Sequence, residues 1–232
     1  MRRWARLLGT VLVAAGVLTL VWAAVVWQWQ DPFTALYTTW RQHQLTSQYE
    51  KRAAAFSAPV AQPSTAAERR SLARQARRYR LASKRGEAIG RIRVPRMGLS
   101  MILVNGTDHE TLKKGPGRDA RTFMPGENRL IYIAGHRTTY LAPFSHIDRL
   151  KSGDRVTIEV PYGTFIYAVT RHRIVKATDL SVLRSPKHEV VELQACHPRF
   201  FASHRYIAYA RLLRVEPRGA KPYELEAQAS GK

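Results

Sequence analysis

A chain of 232 residues holds a single cysteine, Cys196, and so has no partner thiol to pair with it. Cys196 follows the apolar run Val190-Val-Glu-Leu-Gln-Ala195 and precedes His197-Pro198. It therefore sits where a strand leaves a sheet, a rigid place from which a thiol can be aimed at a substrate. Only the thiolate is nucleophilic, and at the free-cysteine pKa of about 8.5 only a few per cent is ionised near neutrality, so catalysis calls for a cationic neighbour. His136 is the best candidate acid or base, because it comes directly after Ile131-Tyr-Ile-Ala-Gly135, a strand ending in glycine. Arg205 opens the run Tyr206-Ile-Ala-Tyr209 nine residues after Cys196, so one loop can return its guanidinium to the thiol. The fixed fork of donors on arginine suits the oxyanion formed when a thiolate attacks an amide. Taken singly, each of these residues also fits a structural role at a strand end, and Cys196 also fits an inert buried thiol. Seven other histidines compete with His136, of which His197 and His204 are nearest to the cysteine. His197 is disfavoured, since direct neighbours on an extended chain point to opposite faces.

These residues need a scaffold, and the chain divides by composition into segments 1–30, 31–85, 86–217 and 218–232. No residue from Leu7 to Trp27 is charged, and about 20 such residues at about 1.5 Å rise cross the roughly 30 Å hydrocarbon layer. The run continues to Trp27 without a small-residue cleavage site, which favours an uncleaved transmembrane anchor over a signal peptide. Arg2, Arg3 and Arg6 precede it, so the positive-inside rule leaves the N-terminus in the cytoplasm and the rest extracytoplasmic, in the cell membrane with a single pass. Asp31-Pro32 reads as a helix start, with Asp31 as cap, followed by Phe33, Leu36, Tyr37 and Trp40 as a stripe facing the membrane surface or the main domain. Residues 57–65, rich in Ser, Pro and Ala, read as a linker. Eight basic residues and one acidic residue between Glu68 and Arg85, with Leu72, Ala76 and Tyr79 as a thin apolar face, read as a solvated basic helix or spacer.

From Gly86 the hydrophobic period becomes two. Strands are expected around Ile89–Val94, Met101–Val104, Leu130–Ala134, Arg155–Val160, Phe165–Val169, Val190–Leu193 and Tyr206–Tyr209, with a hairpin turn at Pro161-Tyr162-Gly163. Short strands without intervening helices in about 130 residues imply a mainly β, closed or nearly closed barrel.

A formal net charge of +21 would ordinarily raise nucleic-acid binding. Export across a membrane argues against it and points to lipid headgroups or anionic wall polymers as the matching polyanions. No Cys/His cluster has zinc-ligand spacing, and thiol acyl transfer requires neither metal nor cofactor.

Ala134-Gly-His-Arg-Thr-Thr-Tyr140, Pro143-Phe144, Leu150-Lys-Ser-Gly-Asp154, Leu193-Gln-Ala-Cys-His-Pro198 and Arg205-Tyr-Ile207 resemble the sequence of sortases. The preceding Gly115-Pro-Gly117, Thr122, Pro125-Gly126 and Asn128 are similar to the lead-in of the actinobacterial class E group. The resemblance covers roughly Gly86 to Val215. It implies an eight-stranded β-barrel with short helices and a cysteine transpeptidase, with Cys196 as nucleophile, His136 as acid/base and Arg205 as oxyanion stabiliser. It further implies substrate contacts from Thr138, Tyr140 and Ala195. The implied partners are exported proteins with a C-terminal Leu-Pro-x-Thr-Gly or Leu-Ala-x-Thr-Gly signal, and an amine of a peptidoglycan precursor or pilin. Sortases usually carry threonine before the cysteine, where this chain has Ala195. Two other readings remain at this point: an exported L,D-transpeptidase, whose Ser-His-Gly lead-in is absent here, and a non-catalytic basic envelope-binding barrel.

Overall fold

Residues 2–29, 32–57, 62 and 64–225 are described by a computed structural model. Three helices come first: α1 (Arg2–Trp29), α2 (Pro32–Ala55) and α3 (Thr65–Ala82). By length and composition α1 is able to cross a membrane. Helix α2 starts on Pro32, whose missing N–H costs nothing in a first turn; Asp31, expected as its cap, lies outside the described residues, as do 58–61 and 63 of the expected linker. Helix α3 is capped by Ser64, whose hydroxyl accepts from the Ala67 N–H at 3.3 Å.

Of the two surfaces the stripe on α2 was expected to face, the main domain is ruled out for Leu36, Tyr37 and Trp40, which are exposed; α2 instead turns Thr38, Leu45 and Tyr49 inward. Leu45 and Tyr49 bury themselves against Ala88, Ile102 and Val104. Segment 65–82 is not a solvated spacer, because Leu72, Ala76 and Tyr79 belong to the main hydrophobic core. Most of its arginines are exposed, whereas Arg80 turns in to pair with Glu127 at 2.8 Å.

The rest is β-structure: β1 (Ala88–Val94), β2 (Leu99–Asn105), β3 (Gly117–Arg118), β4 (Leu130–Ala134), β5 (Arg155–Val160), β6 (Gly163–Lys176), β7 (Val190–His197), β8 (His204–Pro217) and β9 (Tyr223–Glu224). The order β6-β5-β1-β2-β3-β4-β7-β8 closes on itself through a β6–β8 pairing, giving an eight-stranded barrel with β9 appended to β8. Closure removes the free edges of the sheet. Pairing is antiparallel except at β2–β3 and β4–β7. The expected hairpin joins β5 to β6, with Val160 opposite Gly163. Strand β3 fits only because residue 117 is glycine: a Cβ there would lie 2.0 Å from the Gly106 carbonyl oxygen. The core runs through the barrel, with Ile92, Leu103, Ile131, Ile133, Phe165, Val191 and Leu193 among its members. A second, smaller cluster of Leu130, Tyr132, Val175, Val182, Ile207 and Tyr209 lies on the other face of the sheet.

Candidate active site

The parallel pair β4–β7 sets the site. Ala134 lies beside Gln194 in register, and the Gly135 N–H donates to the Gln194 carbonyl at 3.0 Å. The chain thus leaves β4 at His136 just where β7 reaches Cys196. An added Cβ at 135 would meet the Phe144 ring at 3.0 Å, so a larger residue there would have to displace that ring. On the other side of β7, Cys196 stands directly opposite Arg205 of β8, and opposed residues of an antiparallel pair share a face. His136, Cys196 and Arg205 consequently line one cleft of about 270 Å³.

That cleft has a polar and an apolar side. The polar side holds Asp119 and Arg121, paired at 2.7 Å. The apolar side comes from Leu180, Val182 and Leu183 in the short 3₁₀ turn between β6 and β7. Cys196 is half-buried and unpaired. Arg205 uses Nη1 to donate to the carbonyls of Ala202 at 2.7 Å and His204 at 2.9 Å, so its own loop orients the fork. His136 Nε2 is buried without a hydrogen-bond partner among the described residues. Burial, followed by the nearby His109, holds the His136 pKa below the usual imidazole value.

Four further features were not visible in the sequence pattern. Arg137, almost fully buried, donates through Nη1 to the Cys196 carbonyl at 3.2 Å and to His197 Nδ1 at 3.0 Å, while Nη2 pairs with Asp148 at 3.0 Å. Arg137 stood next to His136 in the motif, but nothing in its spacing pointed across to the cysteine strand. A guanidinium only donates, so His197 Nδ1 accepts and its second nitrogen carries the proton; burial and Arg137 hold its pKa down. His197 is not among the residues lining the cleft. His109 of α4 (His109–Leu112) stands edge-on to His136 with ring centroids 6.3 Å apart. Tyr140 packs behind His136 at 5.1 Å, and its N–H donates to Thr34 Oγ1 of α2 at 3.1 Å.

Of the residues expected to touch substrate, Thr138, Tyr140 and Ala195 are all absent from the cleft lining. For Ala195 the reason is strand alternation: Gln194 and Cys196 face the cleft, so Ala195 turns into the barrel core, where it is 0% exposed. The expected contact from that side chain is corrected accordingly. Thr138 and Tyr140 belong to the loop that carries His136, and the Tyr140 ring lies against the His136 ring. Among the described residues no group of three or more His, Cys, Asp or Glu could hold a metal ion.

A closed barrel with a thiol, an imidazole and a guanidinium converging at three adjacent strand ends defines a class of cysteine-centred site. The Sortase domain family model matches residues 92–213, more than half of the chain, and the chain belongs to the sortase family. It is 33% identical over 131 residues to sortase D of Bacillus subtilis, covering 54% of this chain and 64% of that protein. The chain spans less than two thirds of the length of the curated relatives it matches. Among solved structures, the Clostridium perfringens sortase D5 transpeptidase has a TM-score of 0.59 at 23% identity, over 75% of this chain and 98% of that one, a likeness of fold. Sortase E from Streptomyces avermitilis has a TM-score of 0.52 at 29% identity, over 58% and 93%.

Proposed function

We propose that this chain is a membrane-held sortase that cleaves a peptide bond near the C-terminus of an exported protein and transfers the acyl group to an amine. The observation that carries this reading is the convergence of His136, Cys196 and Arg205 on one cleft. The Cys196 thiolate attacks the scissile carbonyl carbon, a C–S bond forms, and the electron pair moves onto the carbonyl oxygen, where Arg205 donates hydrogen bonds to it. As the tetrahedral species collapses, the C–N bond breaks and His136 gives its proton to the leaving amine. An incoming amine then attacks the thioester, His136 takes up its proton, and the thiolate departs. Arg137, bound to the Cys196 carbonyl, holds the end of the strand that presents the thiol.

The apolar wall of Leu180, Val182 and Leu183 suits an aliphatic side chain of the substrate. This fits a signal of the form Leu-Pro-x-Thr-Gly or Leu-Ala-x-Thr-Gly, with a peptidoglycan precursor or a pilin lysine supplying the amine. Helix α1 is read as the anchor, with the cytoplasmic end marked by Arg2, Arg3 and Arg6 and the barrel outside.

Incubation with each peptide plus hydroxylamine tests the reading. The expected product is the threonyl hydroxamate, absent with Cys196→Ala, and mass spectrometry should find the acyl group on Cys196. No hydroxamate from either peptide, together with slow alkylation of Cys196 by a thiol reagent under native conditions, would instead mark a non-catalytic envelope-binding barrel. Protease added to wall-stripped cells should degrade the barrel and spare an N-terminal tag; protection of the barrel would reverse the orientation.

A further inference from the structure

Helix α2 runs the length of the barrel, and its ends fix the barrel's direction relative to the chain's entry. At its start, Thr34 accepts from the Tyr140 N–H in the loop that carries His136. At its finish, the Ala53 carbonyl accepts from Arg218, just past the far end of β8. The cleft, at the start of β8, is thus at the barrel end where the chain arrives from α1. Trp29 ends α1 and Pro32 begins α2. Three residues of chain and one helical turn bring Leu36 within about 17 Å of Trp29, whatever the angle between the helices.

The side of α2 turned away from the barrel changes character along its length. In the first turns it carries Leu36, Tyr37 and Trp40, which are 72%, 38% and 53% exposed. Beyond them the exposed positions are His43, Gln44, Ser47, Gln48, Glu50, Lys51, Ala54 and Ala55, with no large apolar group. The large exposed apolar side chains of α2 are therefore confined to the end nearest the apolar helix. The Tyr37 and Trp40 rings lie 6.3 Å apart, and the Arg41 guanidinium sits 5.4 Å from the centre of the Trp40 ring. Aromatic rings with a polar edge, flanked by a cation, are the residues that settle at lipid headgroups. Phe200 and Phe201, also exposed, lie in the loop between Cys196 and Arg205 at this same end of the barrel.

We propose that Leu36, Tyr37 and Trp40 lie in the headgroup layer of the bilayer and hold the cleft end of the barrel against the membrane surface. The occupant of this face is anionic phospholipid, matched by Arg41 and by the excess of basic over acidic residues in the chain beyond α1. The inference rests on α1 being the membrane anchor. Its consequence is that the cleft addresses a peptide bond close to a membrane-embedded segment, rather than one far out in the wall.

The test uses the full chain in vesicles of equal parts phosphatidylcholine and phosphatidylglycerol, with bromine placed either near the headgroup end or near the terminal methyl of the acyl chains. The difference in tryptophan emission between wild type and Trp40→Phe reports on Trp40, and the difference against Trp22→Phe reports on α1. The expected result is that Trp40 is quenched about twofold more by shallow than by deep bromine and is shielded from aqueous acrylamide, while Trp22 is quenched by bromolipid. If Trp22 is quenched but Trp40 stays open to acrylamide and indifferent to both lipids, the proposal fails and the anchor stands. Shielding of Trp40 from acrylamide without lipid quenching would mean a protein occupant and also overturns it. Absence of Trp22 quenching would remove the anchor itself.

Discussion

The roles of the three residues at the cleft separate by how much each substitution leaves behind. Cys196→Ala removes the only thiol in the chain and should abolish cleavage and transfer. Arg205→Ala should retain thioester chemistry but lose on the order of 10²–10³-fold in kcat, as other oxyanion donors do. Arg205→Lys should not restore it fully, because the fork is fixed by the Ala202 and His204 carbonyls and a point charge cannot reproduce it. His136→Ala should be far more damaging than His197→Ala, since His197 faces Arg137 rather than the cleft; equal losses would move the acid/base role to His197. His109 provides a finer test. Burial is the larger cause of the lowered His136 pKa, and the like charge of His109 is the second. Replacing His109 by Gln removes the second cause only, so the limb of the kcat/KM profile governed by His136 should move to higher pH. A limb that stays in place, or moves down, would show that His109 does not act on His136.

At the scale of elements, strand alternation decides what Ala195 can do. Its neighbours Gln194 and Cys196 face the cleft and it faces the core, fully buried. The sequence resemblance made position 195 look like a specificity residue, because the pattern shows which residue precedes the cysteine but not which face it occupies. Ala195→Thr is therefore expected to act as an overpacked core substitution, destabilising by about 1–3 kcal/mol, with the preference between Leu-Ala-x-Thr-Gly and Leu-Pro-x-Thr-Gly peptides unchanged. Paired kcat/KM measurements and thermal unfolding check this; a sharpened preference without loss of stability would place the residue at the substrate after all. A similar ambiguity hid the faces of α2. Leu36, Tyr37 and Trp40 have helical spacing, yet so do Thr38, Leu45 and Tyr49, and only the partner surface selects the buried set. For α3, the thin apolar face of Leu72, Ala76 and Tyr79 was read correctly as a face but underestimated, because three residues surrounded by arginine look solvated until a core is shown for them.

At the scale of the whole molecule, the barrel was legible because its longer strands alternate or run apolar, and His136, Cys196 and Arg205 could be placed at strand ends from sequence. Strand β3, two residues long, carries no periodicity, and the outer half of β6 is mostly exposed, so neither announced itself. The buried carboxylates were equally silent, and they govern how stability depends on pH. Glu189 is buried, accepting from the Tyr167 hydroxyl at 2.6 Å and from the Gly126 and Asn128 N–H groups at 2.9 and 3.1 Å. Burial outweighs these bonds and pushes its pKa from 4.5 up to about 7. Glu192, on β7, is likewise raised to about 7 by burial. Below 4.5 such a group is protonated folded and unfolded alike, and its contribution to stability is fully present. Between 4.5 and about 7 the unfolded chain gives up the proton while the folded chain keeps it, so unfolding releases protons and stability falls as pH rises. His136, whose folded pKa is lowered, works in the opposite sense: the unfolded chain binds more protons, and stability rises with pH below the ordinary imidazole pKa. The wild-type curve alone mixes the two. The clean quantity is the difference in melting temperature between wild type and Glu189→Gln, in which the histidines cancel and any constant cost of the amide drops out. That difference should shift against the wild type as pH is raised from 5 to 8, because only the carboxylate must ionise inside the barrel. A difference that is flat, or that moves in the wild type's favour, would mean that the bonds from Tyr167, Gly126 and Asn128 keep Glu189 ionised in the fold at acidic pH.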